Sequence, residues 1–192
     1  MPVSLLFSGH MIDAPGRKTP RFPAVLEEAV RNRIFRTIQP YTASGPAKTD
    51  VMGFASAAQG GDIIFHELCR THGIATAITI PFSPETFVSR SVAGTADDAR
   101  WKKRFWKLLN DTPVDRLDVM MLEETRDAYQ ACNSQMLTHA RAYGKVHLIA
   151  FWDGKSSDGP GGTADLVELA SDIADQDIFS PAELSGGRHG AA

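Results

Sequence analysis

The chain has 192 residues, of which 43% are hydrophobic and 22% charged, and its formal net charge is −3. These values are typical of one globular domain that buries its own core. The acidic balance gives no overall attraction to nucleic acid or to an anionic membrane, so both are disfavoured as partners. No apolar run approaches the roughly 18 residues of a membrane span, and residues 1–11 lack the features of a signal peptide. We therefore expect a cytoplasmic domain at 1–180, followed by a disordered tail at 181–192.

The two cysteines, Cys69 and Cys132, lie in apolar helical segments without the spacing of metal ligands. We interpret them as reduced core residues. The sequence accordingly predicts no disulfide, no metal site and no bound cofactor.

Strand and helix patterns alternate along the chain. Strand patterns lie at 3–7, 50–55, 74–80, 117–122 and 145–151, with a short edge strand at 178–179. Helical patterns lie at 22–38, 63–71, 84–92, 97–109, 125–142 and 164–174. This alternation predicts a three-layer, Rossmann-like α/β sandwich whose mainly parallel sheet has five or more strands.

Segments rich in glycine and small polar residues follow the predicted strands. In open α/β sheets, ligands bind beyond the carboxyl ends of the strands. Glycines let the backbone approach a ligand closely, and N–H groups that open a helix suit a phosphate, which we expect on the final loop. The ligand-binding candidates are Ser8, Gly9, His10, Gly60, Gly61, Asp62, Pro81, Asp153, Gly159, Gly161, Gly162 and Thr163.

Several of these candidates have a second interpretation. Gly60 and Gly61 would also allow a helix to pack tightly on a strand. Asp62 would either bind a ribose hydroxyl or stabilise the first turn of its helix. His10 would serve as a general acid/base or phosphate contact, or be an ordinary loop residue. The loop at 15–23 contains three basic residues, Arg17, Lys18 and Arg21, which would hold a phosphate or remain solvated.

Two motifs carry a family resemblance, namely A-S-A-A-Q-G-G-D-I-I-F-H-E at 55–67 and G-P-G-G-T-A-D-L-V-E at 159–168. Both resemble motifs of the SLOG superfamily, which includes the DNA-processing DprA proteins and the LOG-type phosphoribohydrolases. S-G-H-M-I-D at 8–13 is similar to SLOG-type domains that accompany nucleotide-signalling modules. The resemblance spans most of residues 3–170. It implies a Rossmann-like fold, a nucleotide-derived ligand and a homodimer.

Three carboxylates are the candidates for catalysis: Glu67, Glu168 and Asp153. The resemblance implies that Glu168 corresponds to the glutamate that works with an arginine at the N-glycosidic bond in the phosphoribohydrolases. Arg126 and Arg141 are the candidate arginines. The expected function is therefore binding or sensing of a nucleotide or nucleotide-derived molecule. The alternative is an enzyme that cleaves an N-glycosidic bond, similar to a phosphoribohydrolase or a nucleoside deoxyribosyltransferase.

Overall fold

The computed structural model describes residues 1–45, 50–125, 127–156 and 161–185. The strands are β1 (Val3–Gly9), β2 (Val51–Ala55), β3 (Ala75–Ile80), β4 (Leu117–Val119), β5 (Lys145–Phe151) and β6 (Gln176–Phe179). The helices are α1 (Glu27–Ile38), α2 (Gly61–Thr71), α3 (Pro84–Phe87), α4 (Asp98–Asn110), α5 (Ala128–Tyr143), α6 (Thr163–Leu169) and α7 (Pro181–Ser185). A π-helical turn at Val88–Val92 directly follows α3.

The six strands form one parallel sheet in the order β4-β3-β2-β1-β5-β6. The chain moves outward from β1 to β4 and then returns to the other side of β1, so the strand order reverses between β1 and β5. The predicted Rossmann-like architecture is confirmed, and the sheet is parallel throughout.

Successive residues of β1 point to the two opposite faces of the sheet, as in any strand. Leu5 and Phe7 pack in the core that includes α1, α2 and α4. Leu6 packs in a second core with α5 and α6. The two helical layers therefore cover both faces of the sheet. All three side chains are fully buried, which explains the continuous apolar run of this central strand.

Strand β4 and helix α6 end earlier than the sequence predicts. Strand β4 ends at Val119 because Met121 has a φ of 54°, which is incompatible with an extended strand. Helix α6 ends at Leu169, five residues before the predicted end at 174. The Gln176 amide donates to the carbonyl oxygens of Ala170 (3.1 Å) and Ile173 (2.7 Å), so a side chain satisfies the backbone beyond this helix end.

Residues 181–185 form helix α7 within the segment 181–192, which was expected to be disordered. Ser180 and Glu183 form a capping box that starts α7. The backbone N–H of Ser180 donates to Glu183 Oε1 (2.9 Å), and the N–H of Glu183 donates to Ser180 Oγ (3.4 Å). The rest of the predicted tail, 186–192, lies outside the described residues.

Within the described ranges, no helix is long and apolar enough to cross a membrane.

Candidate functional site

A cleft of about 460 Å³ lies beyond the carboxyl ends of β1, β2 and β5. Its position coincides with the reversal of strand order between β1 and β5, where open α/β sheets bind their ligands. The volume falls within the roughly 300–1,000 Å³ of small-molecule pockets. The geometry therefore provides a candidate ligand site at the predicted edge of the sheet.

Most of the predicted ligand-binding residues line this cleft, but not all of them. Those in its wall are Ser8, Gly9, His10, Asp62, Gly161, Gly162 and Thr163. Gly60, Gly61, Pro81 and Asp153 are not part of the lining. Gly159 lies outside the described residues.

The paired glycines at the start of α2 pack against the loop that follows β1. Gly60 has a φ of 97°, and a Cβ atom there would lie 2.9 Å from the carbonyl oxygen of His10. A Cβ atom on Gly61 would lie 3.0 Å from the Cα atom of Gly9. Close backbone packing therefore accounts for both glycines, which is the second of the two interpretations drawn from the sequence.

Asp62 joins the end of β1 to the loop that follows β2. The N–H of Gly9 donates to its Oδ1 atom (3.3 Å), and the N–H of Ala58 donates to its Oδ2 atom (3.2 Å). Asp62 is only 6% exposed, and burial raises its pKa to about 7 although both hydrogen bonds oppose that shift. The carboxyl group thus changes protonation state near neutral pH.

The segment before α6 is fixed against α5. Asn133 Nδ2 donates to the carbonyl oxygen of Gly161 (3.1 Å), and the N–H of Gly161 donates to the carboxylate of Asp165. Gly161 has a φ of 78°, and a Cβ atom there would lie 1.9 Å from the Cβ atom of Tyr129. Thr163 accepts a hydrogen bond from Ser8 Oγ (3.1 Å), which joins this segment to the end of β1. Asn133, which also lines the cleft, is thus a supporting residue of the final loop.

The loop after β1 contacts the loop after β5 through Asp153. The backbone N–H of Asp153 donates to Nε2 of His10 (3.0 Å), and its Oδ2 atom lies 3.3 Å from Nε of Arg21. Burial lowers the pKa of His10; Arg21 and Arg17 also lower it, whereas the charge of Asp153 raises it. Asp153 therefore holds two lining side chains in place without itself lining the cleft.

The two glutamates proposed for catalysis lie away from the cleft lining. Glu67 forms ion pairs with Arg31 (2.7 Å) and Arg104 (2.7 Å). Burial acts to raise the pKa of Glu67, but the hydrogen bonds and charges of both arginines outweigh it and hold that pKa below its usual value. Glu168 is exposed on α6. The structure thus places Asp62, and neither glutamate, in the wall of the cleft.

Of the candidate arginines, Arg141 forms an exposed ion pair with Asp172 (2.6 Å) and does not line the cleft. Arg126 lies outside the described residues. Arg90, which sequence reasoning missed, lines the cleft and forms an ion pair with Glu124 (2.7 Å). No local pattern marks Arg90, because it reaches the site only through the fold of the segment after β3.

The cleft wall is more basic than the chain as a whole. Its cationic side chains are Arg17, Arg21, Arg90 and Lys155. Among the described residues, the carboxyl groups in the wall are those of Asp13 and Asp62. Two carboxylates outside the wall pair with these cations, Asp153 with Arg21 and Glu124 with Arg90. Within the part of the chain that the structure describes, no group of three or more histidine, cysteine, aspartate or glutamate residues could hold a metal ion.

No protein-family model matches the chain, and no curated protein matches it either. The resemblance to the SLOG superfamily and the homodimer that it implies stay predictions.

Proposed function

We propose that this domain binds a phosphate-bearing nucleotide or nucleotide-derived small molecule and serves as a ligand-binding or sensing domain. The observation that carries the proposal is the cleft at the point where the strand order reverses, with four cationic side chains in its wall. Guanidinium and ammonium groups in the wall of a cleft are the side chains that most often bind a phosphate group.

The remaining lining suits the other parts of such a ligand. Met11 and Tyr129 contribute accessible apolar surface to the wall, as expected for contacts to a nucleobase. Ser8 and Thr163 bring hydroxyl groups to the same cleft, and hydroxyl groups both donate and accept hydrogen bonds from ribose or phosphate. Charged, polar and apolar surface therefore occur together in one site of suitable size.

A thermal-shift screen against nucleoside monophosphates, NAD, ADP-ribose, cyclic nucleotides and free bases tests the proposal. A ligand at about 100 times its dissociation constant adds about 2.7 kcal/mol, which corresponds to a rise in Tm of roughly 5–11 °C for a chain of this size. Absence of a shift across the phosphorylated compounds would contradict the proposal.

Two matched alanine variants locate a binding compound in the molecule. Ala93 lines the cleft, whereas Ala99 is exposed on α4 and does not. We expect Ala93→Trp to abolish the shift by filling the cleft and Ala99→Trp to preserve it. Gly161 is unsuitable for this purpose, because any side chain there collides with Tyr129.

Cleavage of an N-glycosidic bond is the second candidate function, and Asp62 is the observation that favours it. Its carboxyl group lines the cleft, and a pKa of about 7 suits a general acid or base near neutral pH. Release of free base from a bound nucleotide would identify the activity. We then expect Asp62→Asn to abolish base release and Glu168→Gln, an exposed change outside the lining, to preserve it.

A further inference from the structure

We propose that one face of helix α5 binds a sugar hydroxyl group of the ligand, with Oδ1 of Asn133 as the acceptor and the hydroxyl pair of Ser8 and Thr163 as the donor. This inference rests on the proposed function, because it assigns the ribose of a nucleotide-derived ligand to one wall of the cleft. It differs from the expectation that the final loop binds the phosphate.

One face of α5 forms a wall of the cleft. Tyr129, Cys132, Asn133 and Met136 all line the cleft, and their spacing of i, i+3, i+4 and i+7 places them on one side of the helix. Asn133 lies about one helical turn after Tyr129, whose ring offers apolar surface to a base. A sugar attached to that base can therefore reach Asn133.

The side-chain amide of Asn133 is held in one orientation. Its Nδ2 atom donates to the carbonyl oxygens of Gly161 (3.1 Å) and Gly162 (3.4 Å), so both amide protons have partners. The opposite orientation would place Oδ1 against these two carbonyl oxygens, and an amide oxygen cannot donate to them. Oδ1 therefore faces away from the backbone of the final loop.

Oδ1 of Asn133 is an acceptor without a partner. It accepts no hydrogen bond from the described residues, and it does not belong to the fully buried polar atoms that lack a partner. Asn133 is only 6% exposed and lines the cleft, so its accessible surface faces the cleft. An unpaired acceptor that is largely withdrawn from water gains free energy from a donor. Oδ1 is therefore suited to an O–H or N–H group of the ligand.

The hydroxyl groups of Ser8 and Thr163 supply a donor in the adjacent part of the wall. Ser8 Oγ donates to Thr163 Oγ1 (3.1 Å), and Thr163 directly follows Gly162, whose carbonyl oxygen Asn133 contacts. Neither hydroxyl group has a further hydrogen bond within the described ranges. Two hydroxyl groups carry two protons and their mutual hydrogen bond uses one, so the other is free for a ligand acceptor. A sugar hydroxyl both accepts and donates, and it can bind this pair and Asn133 together.

The distribution of charge also favours a neutral group on this wall. The cationic lining residues belong to the loop after β1, the π-helical turn and the loop after β5. The lining residues of α5 and of the segment at 161–164 are all uncharged. Phosphate oxygens are acceptors at neutral pH, so they would face Oδ1 of Asn133 without a proton between them. The sugar therefore fits this wall better than the phosphate does.

Calorimetric titration with deoxy analogues tests the assignment. The probes are the nucleotide identified by the thermal-shift screen and its 2′-deoxy and 3′-deoxy forms. We expect loss of one of these hydroxyl groups to weaken binding to the wild type roughly 3- to 10-fold. In Asn133→Ala the same loss should have an effect of less than about 2-fold, because the acceptor is absent. Equal affinity of the wild type for all three compounds, or equal hydroxyl dependence in both proteins, would overturn the assignment.

Asp165→Ala is the matched control for the structural role of Asn133. The carboxylate of Asp165 accepts the N–H of Gly161, and Asp165 does not line the cleft. This variant therefore loosens the same segment as Asn133→Ala but keeps the acceptor. Overall affinity should fall in both variants, whereas the dependence on the hydroxyl group should persist in Asp165→Ala. Loss of that dependence in Asp165→Ala as well would show that Asn133 acts only through the loop.

Nuclear magnetic resonance provides a second measurement that leaves Asn133 unchanged. The chain has three asparagines, and the other two, Asn32 and Asn110, are exposed on α1 and α4. Replacing each of these by aspartate identifies the side-chain amide signals of Asn133 by elimination. We expect the nucleotide to shift the ¹³Cγ and ¹⁵Nδ2 signals of Asn133 in a saturable manner. Signals that stay unchanged at saturation would overturn the assignment even if Asn133→Ala does not fold.

The outcomes separate the sugar assignment from the proposed function. If a nucleotide binds and its hydroxyl dependence does not require Asn133, the function stands and the assignment is refuted. If the hydroxyl groups have no effect but a preference for adenosine over inosine monophosphate requires Asn133, the acceptor binds a base amino group and the sugar assignment is wrong.

Sugar phosphates replace the nucleotides as probes if no nucleotide binds. Preference for ribose 5-phosphate over 2-deoxyribose 5-phosphate that disappears in Asn133→Ala would keep the sugar assignment while the nucleotide function fails. Absence of binding by both sugar phosphates would then refute the assignment together with the function.

Discussion

Asp62 should make the stability of this domain depend on pH in a direction opposite to that of most carboxylates. Its pKa is about 7 in the folded protein, against 3.8 for the ordinary side chain. Between these values the folded state binds more protons than the unfolded state, so this carboxyl group lowers stability as pH rises through the window. The difference between the two pKa values lowers the free energy of unfolding by about 4 kcal/mol once the pH exceeds both of them.

The change Asp62→Asn removes this titration. We compare the free energies of unfolding of the variant and the wild type at about pH 5.5 and about pH 8. Linkage predicts that the variant gains about 2 kcal/mol relative to the wild type between these two conditions. In the variant, the asparagine amide faces the N–H groups of Gly9 and Ala58, and its nitrogen cannot accept a hydrogen bond from them. The resulting loss of stability does not depend on pH and therefore cancels from the comparison.

The difference between the two proteins is the informative quantity, because His66 titrates in the opposite sense. Burial lowers the pKa of His66 to about 4, so this histidine costs stability as pH falls below its ordinary value of 6.5. That contribution is present in both proteins and is removed by subtraction. Chemical denaturation monitored by tryptophan fluorescence supplies the free energies. A relative stability that stays constant between the two pH values would refute the raised pKa of Asp62.

Three further predictions concern ion pairs, backbone packing and a helix cap that the structure shows. Glu67→Gln should lower the free energy of unfolding by about 1–3 kcal/mol, since two arginines lose a charged partner. Ligand binding should be unchanged in this variant, and a loss of affinity at wild-type stability would contradict a structural role. Gly60→Ala and Gly94→Ala both place a side chain at a positive φ, 97° and 102° respectively, but only Gly60 also faces nearby backbone atoms. Gly60→Ala should therefore lower the free energy of unfolding by at least ~1 kcal/mol more than Gly94→Ala does, as measured by thermal or denaturant unfolding. Equal losses of stability in the two variants would refute the packing role of Gly60. Ser180→Ala should cost about 1 kcal/mol through loss of the capping hydrogen bond to Glu183, measured in the same way; an unchanged midpoint would show that α7 does not depend on this cap.

The fold was largely predictable because its signals are local. The apolar run at 145–151 marks strand β5, and Gly73, which follows Thr71 and His72, marks the end of helix α2. Both signals come from residues that are adjacent in the chain. The capping box of Ser180 and Glu183 is equally local and could have identified α7 from the sequence. The early end of α6 could not have been predicted, since it depends on the side chain of Gln176 in the following strand.

The composition of the site was less predictable, because it depends on contacts between distant segments. The strands after which functional loops occur are visible in the sequence, and Ser8, His10 and Asp62 were found in this way. Arg17 and Arg21 were marked in the sequence as possible phosphate contacts, whereas the position of Arg90 follows from strand order and loop packing, which no local pattern encodes. The structure also shows what glycine motifs alone cannot, namely that Gly60 serves packing between loops.

Calorimetric titration of the strongest nucleotide from the thermal-shift screen tests the central claim most directly. We expect saturable binding of one ligand per chain to the wild type and to Ala99→Trp. We expect no measurable binding to Ala93→Trp, whose new side chain occupies the cleft. Equal affinity for all three proteins would place the ligand elsewhere and contradict the account.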